Sequence, residues 1–224
     1  MARRLGVLAI AGAIVWTVWW SPLFALRADE VSVSSDGDLV DLGAARQAVE
    51  PFSGTPLTRL DLGDVEEALR GVTGVFETQV VRAWPHGLSV EIVERVPVAV
   101  VADSSRGYLL VDIEGAELAV LPQPPDDLPV VTVPIGEDNS RILEAALTAA
   151  AALPPDLAIR VEAIRAETED SVTLFVKNGP RIEWGSAGES ALKAEVVGVL
   201  LSSGDPLPAV IDVSAPTLVV TRDE

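Results

Sequence analysis

An uncharged apolar segment near the N-terminus constrains the topology of the whole chain. It covers residues 5–26 and follows Arg3 and Arg4. Because a helix rises about 1.5 Å per residue, this length is sufficient to cross a hydrocarbon layer of about 30 Å. Basic residues stay on the cytoplasmic side of such a segment. The pattern therefore predicts a cytoplasmic tail over residues 1–4, a transmembrane anchor over residues 5–26 and an extracytoplasmic C-terminus.

A cleaved signal peptide is the alternative interpretation of this segment. The segment is long for the apolar core of a signal peptide, and Trp, Pro, Phe and Leu stand where a cleavage site carries small residues. The tryptophans also favour the interface between lipid and water. We therefore predict an anchor that is retained, in a single-pass cell membrane protein.

Composition excludes several classes of function. The chain has 34 acidic and 16 basic residues and a formal net charge of −18, which repels phosphate backbones and argues against nucleic-acid binding. It has no cysteine, so disulfide bonds and cysteine nucleophiles are excluded. His86 is the one histidine, and Asp36, Asp38 and Asp41 lack the glycine and glutamate that follow in a calcium loop. The sequence predicts no metal site and no cofactor.

Residues 30–94 predict the order strand, helix, helix, strand, strand. Asp41 and Asp61 precede helical patterns and are suited to cap helices over residues 42–49 and 62–70. The alternation of apolar and polar residues predicts strands over residues 30–35, 75–84 and 88–94.

The stretch from W-P-H-G to E-R-V-P is predicted to join this region directly to a second one. Pro85 fixes a backbone dihedral and Gly87 is expected in a left-handed conformation, so W-P-H-G predicts a hairpin turn. Pro97 has no N–H and suits the start or the edge of a strand, yet the apolar pattern continues through it. The residues predicted at this junction are Trp84, Pro85, Glu94, Arg95 and Pro97.

From Pro97 onward the patterns predict mostly strands and two helices, so the expected fold class is α+β. The helices are predicted over residues 141–152 and 189–201. In the second helix, the predicted apolar face consists of Leu192, Val196, Val199 and Leu200. Strands are predicted over residues 98–102, 108–113, 117–121, 130–133, 161–166, 171–176, 181–184, 211–213 and 218–221.

Several short motifs occur in the order found in one family of bacterial envelope proteins. They are G-T-P-L-T-R-L-D at residues 54–61, V-x-R-x-W-P at 80–85, L-S-V-E-I-V-E-R-V-P-V-A at 88–99, L-V-D-x-x-G at 110–115, I-E-W-G at 182–185 and I-D-V-S-x-P at 211–216. By these motifs and their order behind an anchor, the chain resembles the FtsQ/DivIB family of cell division proteins.

This resemblance implies a domain organisation and a role. It implies a POTRA domain over residues 27–96 and an FtsQ-type β domain over residues 97–224, behind the tail and the anchor. The implied role is that of a non-enzymatic scaffold of the divisome at the septum. Its implied partners are the coiled-coil membrane proteins FtsB (DivIC) and FtsL, and through them it would influence the septal peptidoglycan synthases. The alternative is a POTRA-bearing component of envelope secretion or assembly, which would normally carry repeated POTRA units or an outer-membrane barrel.

One motif is compatible with catalysis. Ser190 and Lys193 have the S-x-x-K spacing of penicillin-recognising enzymes, but no K-T-G strand follows them. The simpler interpretation places Ser190 near a helix start and leaves Lys193 solvated or paired with an acid. His86 is likewise expected to be a solvated turn residue. An envelope hydrolase is therefore disfavoured.

The last predicted strand, residues 218–221, contains neither the charge nor the proline that usually protects an exposed strand edge. An extended partner segment is therefore predicted to add along it as a further strand. The sequence leaves open whether the N–H of Val219 or that of Val220 faces outward. The strand over residues 75–84 and the loop before it are predicted to form a docking surface, and the resemblance implies that this domain helps to recruit the protein to the division site. The residues predicted to contact the partner are Leu218, Val219, Val220, Thr221, Ser214 and Lys193.

Overall fold

A computed structural model describes residues 24–103, 105–134, 139–203 and 207–223. The chain falls into two units that divide between Arg95 and Val96. Helices and strands occur in both units, which confirms the α+β class. The predicted anchor lies outside the described residues except for its last three. Among the described residues, no helix is both long and apolar enough to cross a membrane.

The first unit is a three-stranded sheet packed against two helices. Strand β1 (Val31–Ser35) runs parallel to β3 (Gly87–Glu94), and β2 (Val75–Ala83) pairs with β3 in the antiparallel sense, so the strand order is β1-β3-β2. The helices are α1 (Leu42–Val49) and α2 (Leu62–Arg70). This is the order of elements predicted from the sequence.

Both helices of the first unit begin where the aspartates predicted. The N–H of Gly43 donates to Asp41 Oδ1 at 2.7 Å, and that of Gly63 donates to Asp61 Oδ1 at 2.9 Å. These bonds satisfy N–H groups that a helix leaves unpaired in its first turn. The helices and the sheet enclose a core formed by Leu26, Val31, Val33, Val40, Ala45, Val49, Leu57, Leu60, Val65, Leu69, Val75, Val80, Leu88, Val90 and Ile92.

The last three residues of the predicted anchor belong to this unit. Leu26 is 2% exposed, and its N–H donates to the Thr55 carbonyl at 2.9 Å. The Phe24 carbonyl accepts a hydrogen bond from the Leu57 N–H at 2.8 Å. Residues 24–26, which the predicted anchor includes, therefore also belong to the packing of this unit.

The hairpin turn between β2 and β3 forms at W-P-H-G, but not through a left-handed glycine. Gly87 is absent from the described glycines with positive φ. A Cβ at this position would instead lie 2.4 Å from the Glu30 carbonyl oxygen. Glycine is required here because the backbone that leads into β1 passes close to it.

Glu94, at the end of β3, connects three parts of the first unit. Its carboxylate accepts hydrogen bonds from Ser35 Oγ at 2.6 Å and from the N–H groups of Leu39 and Val40 at 2.7 and 3.1 Å. Burial raises the pKa of Glu94, but the hydrogen bonds from Ser35, Leu39 and Val40 outweigh it and hold that pKa below its ordinary value of 4.5. The ionised carboxylate therefore fixes the loop between β1 and α1.

Replacing Glu94 with glutamine should destabilise the first unit at neutral pH by about 1–3 kcal/mol, because the amide accepts fewer hydrogen bonds than the carboxylate. A carboxyl group with a lowered folded pKa stabilises the fold above the unfolded value of 4.5, and this contribution is lost as the pH falls through the folded value. Denaturant titrations at a series of pH values should show a flatter acid limb for Glu94→Gln. Glu91 lies on the exposed side of the same strand, so Glu91→Gln should change neither the stability at neutral pH nor its decline in acid. If Glu94→Gln and Glu91→Gln had the same stability at every pH, the Glu94 carboxylate would not fix the loop between β1 and α1.

The second unit is a nine-stranded mixed sheet. The strand order is β12-β11-β10-β9-β8-β7-β4-β5-β6. The strands are β4 (Ala99–Asp103), β5 (Gly107–Val111), β6 (Glu117–Leu121), β7 (Val130–Thr132), β8 (Val161–Ala166), β9 (Val172–Val176), β10 (Arg181–Gly185), β11 (Val210–Asp212) and β12 (Val220–Arg222).

The helices of the second unit are α3 (Ser140–Ala151), α4 (Pro155–Ala158) and α5 (Ser190–Ser202). The short α4 is not among the helices predicted from the sequence, because proline in a helical pattern ordinarily indicates where a helix ends. Proline at the first helical position is favourable, since its missing N–H would be unpaired there in any case. Helices α3 and α5 contribute to one large core with the sheet, and the residues that fill it around Trp184 include Leu147, Ile164, Leu174, Ile182, Ala194, Val197 and Ile211.

Candidate partner-binding edge

Strand β12 forms one edge of the nine-stranded sheet. It pairs in the antiparallel sense with β11, and Ile211 lies opposite Thr221. The prediction of an edge strand near the C-terminus is confirmed, but the strand begins two residues later and ends one residue later than predicted, so it includes the charged Arg222. The Leu218 N–H donates to the Ala215 carbonyl at 2.9 Å, so Leu218 closes a turn and does not belong to the strand.

The direction of the backbone groups of β12 follows from the strands beside it. The Arg181 N–H donates to Ala209 O, and the Val213 N–H donates to Glu183 O, both at 2.9 Å. Backbone groups point alternately to the two sides of a strand, so those of Val210 and Asp212 face β12. These two residues lie opposite Arg222 and Val220.

The outward-facing residues of the edge are therefore the alternate ones. The N–H and C=O of Val220 and Arg222 are directed at β11, whereas those of Val219 and Thr221 are directed away from it. Of the two N–H groups that the sequence left open, that of Val220 therefore does not face outward. The side chain of Val219 packs against the core, while Leu218 and Val220 are 73% and 46% exposed.

Arg222 holds the edge strand to the sheet by charge as well as by backbone pairing. Its Nη2 lies 2.6 Å from Glu183 Oε2 and 3.3 Å from Asp212 Oδ2. Glu183 also pairs with Arg181 at 3.2 Å. These charges were not singled out from the sequence, although Glu183 and Asp212 stand within the motifs I-E-W-G and I-D-V-S. The arrangement ties β10, β11 and β12 together across one face of the sheet.

Ser214 supports this cluster from the loop after β11. Its N–H and its hydroxyl both donate to Asp212 Oδ1, at 3.0 and 2.7 Å. The hydrogen bond from the Ser214 hydroxyl is the main reason that the pKa of Asp212 lies below its ordinary value, and Arg222 adds to the effect. Gly185, with φ of 73°, lies against Ser214, and a Cβ there would be 2.8 Å from Ser214 Cβ. Ser214 is thus a positioning residue at this edge.

A polar groove of about 400 Å³ lies on the same face of the sheet. Its floor includes Thr173 and Phe175 of β9, and the Arg165 guanidinium lies over the Phe175 ring at 5.4 Å. Glu183 and Asp212 lie along the same groove. A strand added to β12 would extend this face and place its own side chains beside the charged cluster of Arg222.

Lys193 is buried, which corrects the expectation of a solvated or acid-paired side chain. It is 1% exposed, and its Nζ donates to the carbonyls of Trp184 and Ser186 at 2.9 and 2.8 Å. The predicted apolar face of α5 is only half confirmed, because Val196 and Leu200 pack against the core but Leu192 and Val199 are 39% and 66% exposed. The buried residues of this helix are Ser190, Lys193, Ala194, Val197 and Leu201.

Ser190 and Lys193 fix the start of α5 to the end of β10. Ser190 Oγ donates to the Ala187 carbonyl at 2.8 Å and accepts from Trp184 Nε1 at 3.0 Å. Both polar side chains of the S-x-x-K motif are therefore engaged by residues 184–187. Lys193 can influence a partner only by positioning this segment, because its ammonium group is enclosed.

Of the five predicted junction residues, the four in the first unit lie at opposite ends of β3. Trp84 and Pro85 lie at the turn that begins β3, and Glu94 and Arg95 lie at its other end. Trp84 is 56% exposed and is not among the core residues of the first unit. Arg95 donates through its N–H to the Gly74 carbonyl at 2.8 Å, and its guanidinium lies 5.7 Å from the centre of the Phe76 ring. Pro97 follows in the second unit and is half-buried.

The remaining residues considered for catalysis or metal binding contact nearby backbone groups. The His86 ring is half-buried, with Nδ1 at 3.3 Å from the Ala25 carbonyl oxygen. Asp36 accepts a hydrogen bond from the Glu94 N–H at 2.9 Å, and Asp41 caps α1. In the part of the chain that the structure describes, no three acidic or histidine side chains are grouped so as to hold a metal ion.

Comparison with known proteins places the second unit in a protein family. The family profile described as "Cell division protein FtsQ/DivIB, C-terminal" matches residues 99–214. That range includes β4 to β11 and contains Lys193, Asp212 and Ser214.

Relatives that carry the name "Cell division protein FtsQ" match beyond that range. The protein of Streptomyces venezuelae is 30% identical over 221 residues, which cover 95% of this chain and 80% of that protein. The protein of Streptomyces coelicolor is 28% identical, with 95% and 83% covered. The protein of Mycolicibacterium smegmatis is 34% identical over 217 residues, which cover 97% of this chain and 62% of that protein. The chain belongs to the FtsQ/DivIB family of cell division proteins.

Proposed function

We propose that this chain is a non-enzymatic scaffold of the bacterial divisome, anchored in the cell membrane by residues 5–26 with its C-terminus outside the cytoplasm. Its partners are the coiled-coil membrane proteins FtsB (DivIC) and FtsL. Through them it acts at the septum on the peptidoglycan synthases, linking early and late division proteins without chemistry of its own. One feature supports this most directly, namely the edge strand β12.

Strand β12 is suited to receive an extended segment. The backbone groups of Val219 and Thr221 point away from β11, and neither a proline nor a bulge interrupts Val220–Arg222. Arg222 holds the strand in place from the face of the sheet, so the outward backbone remains accessible while the strand itself is fixed. A partner strand would gain main-chain hydrogen bonds from this edge and side-chain specificity from the groove beside it.

The first unit is proposed to be a POTRA domain that assists recruitment to the division site. Its element order and its mixed parallel and antiparallel sheet support that assignment. Strand β2 is an edge of the three-stranded sheet, and it exposes Phe76 and Val81 by 54% and 51%. An edge strand with exposed apolar side chains is a surface to which a second division protein can bind.

The non-enzymatic role is supported by the surroundings of the S-x-x-K motif. In a serine enzyme of this kind the lysine lies beside the nucleophile and activates it. Here Ser190 Oγ donates to a backbone carbonyl and Lys193 Nζ donates to two others, so both side chains brace the loop between β10 and α5.

Replacing Thr221 with proline tests the strand-addition mechanism. Proline removes the outward N–H and places its ring where a partner strand would approach. A net hydrogen bond contributes about 1 kcal/mol, and the steric effect adds to it, so Kd for the FtsB/FtsL pair should rise at least about tenfold. Surface plasmon resonance with the full chain in nanodiscs measures this change.

Thr221→Ala is the matched control, because it removes the side chain and keeps the N–H. It should bind the pair with nearly the affinity of the unmodified chain. In cells, the proline variant should fail to rescue division in a depletion strain, which then forms filaments, while its septal band persists if the first unit directs recruitment. Equal affinity of the proline and alanine variants would rule out backbone pairing at this edge.

A further inference from the structure

Residues 24–27 are in direct contact with the turn between β2 and β3. The Arg27 N–H donates to the His86 carbonyl at 2.9 Å, and the Leu26 carbonyl accepts from the Gly54 N–H at 2.9 Å. Ala25 pairs with Pro56 in an isolated antiparallel bridge. The apolar segment over residues 5–26 therefore passes into the first unit without a flexible connection at residues 24–27.

This arrangement fixes which end of the first unit lies nearest the segment. About 20 apolar residues span a bilayer, and residues 5–24 supply that number. If the segment spans the membrane, Phe24 stands at the interface where the hydrocarbon ends. The loop over residues 53–57 and the turn over residues 84–86 are bound to residues 24–27, so both lie beside that interface.

Trp84 presents an aromatic surface at this end. It is 56% exposed, and its ring meets the Phe24 ring edge to face with 5.6 Å between ring centres. Exposure of so much of a tryptophan ring to water is unfavourable. The headgroup layer of a bilayer favours tryptophan, because there the ring lies partly in lipid while its N–H remains hydrated. Ala83 and Pro85 on either side are exposed as well.

The turn is braced from behind. Arg82 donates from Nε to the Leu57 carbonyl at 2.7 Å and from Nη2 to the Leu60 carbonyl at 2.6 Å. These bonds join the base of the turn to the loop that also holds Phe24 and Leu26. Trp84 is thus carried on a rigid support and not on a free loop.

We propose that the turn formed by Trp84 and Pro85 inserts into the headgroup layer of the bilayer that holds the N-terminal segment, with Trp84 and Phe24 as one aromatic contact. This inference rests on the membrane anchor of the proposed function. It gives the first unit two attachments to the membrane, the anchor and the turn, and so fixes its rotation about the anchor. The contact is aromatic, so neutral lipid is sufficient for it.

Depth measurements on single spin labels test this contact, and the absence of native cysteine makes them direct. The full chain, with Ala83→Cys carrying a nitroxide, is reconstituted in phosphatidylcholine nanodiscs. Power saturation with oxygen and with a water-soluble nickel complex should place this label at the headgroup layer, within about 5–10 Å of the acyl boundary. A label at Glu77→Cys, exposed on β2 and farther from the turn, should lie in water.

Two further changes separate the aromatic contact from other causes. Trp84→Ser should shift the label at position 83 into water, and Trp84→Tyr, which keeps an amphipathic ring, should leave its depth unchanged. Circular dichroism confirms that the fold persists, as expected for an exposed side chain. A label at position 83 that lies in water in the unmodified background, or that does not move on Trp84→Ser, would overturn the inference.

A label at Ile14→Cys distinguishes failure of this inference from failure of the anchor. If the label at position 14 lies in the hydrocarbon and the label at position 83 lies in water, the anchor stands and the contact is wrong. If the label at position 14 lies in water, the anchor itself is wrong and the contact falls with it.

Discussion

Replacing Lys193 with alanine should lower the free energy of unfolding of the second unit by about 3–5 kcal/mol. The side chain is enclosed, and the change removes its four-carbon stem together with both hydrogen bonds that it donates to Trp184 O and Ser186 O. Buried groups left without a partner cost about 1–3 kcal/mol, and the cavity adds to this loss. Chemical denaturation followed by far-ultraviolet circular dichroism measures the change.

Lys193→Met is the control that separates packing from hydrogen bonding. It keeps a stem of similar volume and loses only the ammonium group, so it should cost less, about 1–3 kcal/mol. If the alanine and methionine variants were as stable as the unmodified chain, Lys193 would not brace the loop between β10 and α5.

The same lysine should give the chain a distinct pH dependence. Burial lowers the pKa of Lys193 below its ordinary value of 10.5, and the attraction of Glu189 only partly offsets this. Between the lowered pKa of Lys193 in the folded chain and its pKa of 10.5 in the unfolded chain, the unfolded chain binds more protons than the folded chain. The free energy of unfolding therefore rises with pH over that interval. The difference in stability between the unmodified chain and Lys193→Met should therefore widen with pH in that range, and a constant difference would show that the lysine is not buried.

Gly185→Ala should lower the stability of the second unit by about 2–4 kcal/mol and should also weaken partner binding. Gly185 has φ of 73°, which a side chain disfavours by about 1 kcal/mol. The new Cβ would also lie 2.8 Å from Ser214 Cβ, and overpacking of this kind costs about 1–3 kcal/mol. Relief of the clash displaces Ser214, which holds the Asp212 carboxylate that pairs with Arg222 on β12.

Gly198→Ala is the matched control for this change. Gly198 lies in α5, and a Cβ there would meet no atom within 4 Å. Alanine favours a helix over glycine by about 0.5–1 kcal/mol, so this variant should be more stable than the unmodified chain. Two glycine-to-alanine changes in one unit are thus expected to have opposite signs. Thermal unfolding of both variants measures the two changes in stability. If Gly185→Ala lowered the stability by no more than about 0.5 kcal/mol, the close contact between position 185 and Ser214 would not constrain this edge.

Local signals predicted much of the first unit. The bounds of α1 and α2 follow from Asp41, Asp61 and the glycine after α2, because caps and stops act within one or two turns of the chain.

The face of α5 could not be predicted in this way. Its sequence is apolar nearly all round, so periodicity does not choose a side. The choice is made by Ser190 and Lys193, whose polar ends find carbonyl and indole partners in residues 184–187. A polar residue becomes a core residue only when such partners exist, and these partners come from a strand elsewhere in the sheet.

The bounds of the edge strand β12 could not be predicted from local sequence either. Residues 218–221 have the composition of a strand, but the strand begins at Val220 because Leu218 closes a turn, and it includes Arg222 because Glu183 and Asp212 lie within reach. Both acids belong to other strands. Arg222, which lies outside the strand predicted over residues 218–221, is therefore part of β12 and pairs with acids of the two neighbouring strands.

Amide hydrogen exchange at β12 tests the central claim most directly. In the chain alone, the amides of Val219 and Thr221 should exchange rapidly, because they face away from β11, while those of Val220 and Arg222 should be protected. Addition of the FtsB/FtsL pair to the full chain in nanodiscs should slow exchange at Val219 and Thr221 and leave Val220 and Arg222 nearly unchanged. A complex that forms while Val219 and Thr221 continue to exchange rapidly would contradict the proposal that a partner strand completes this edge.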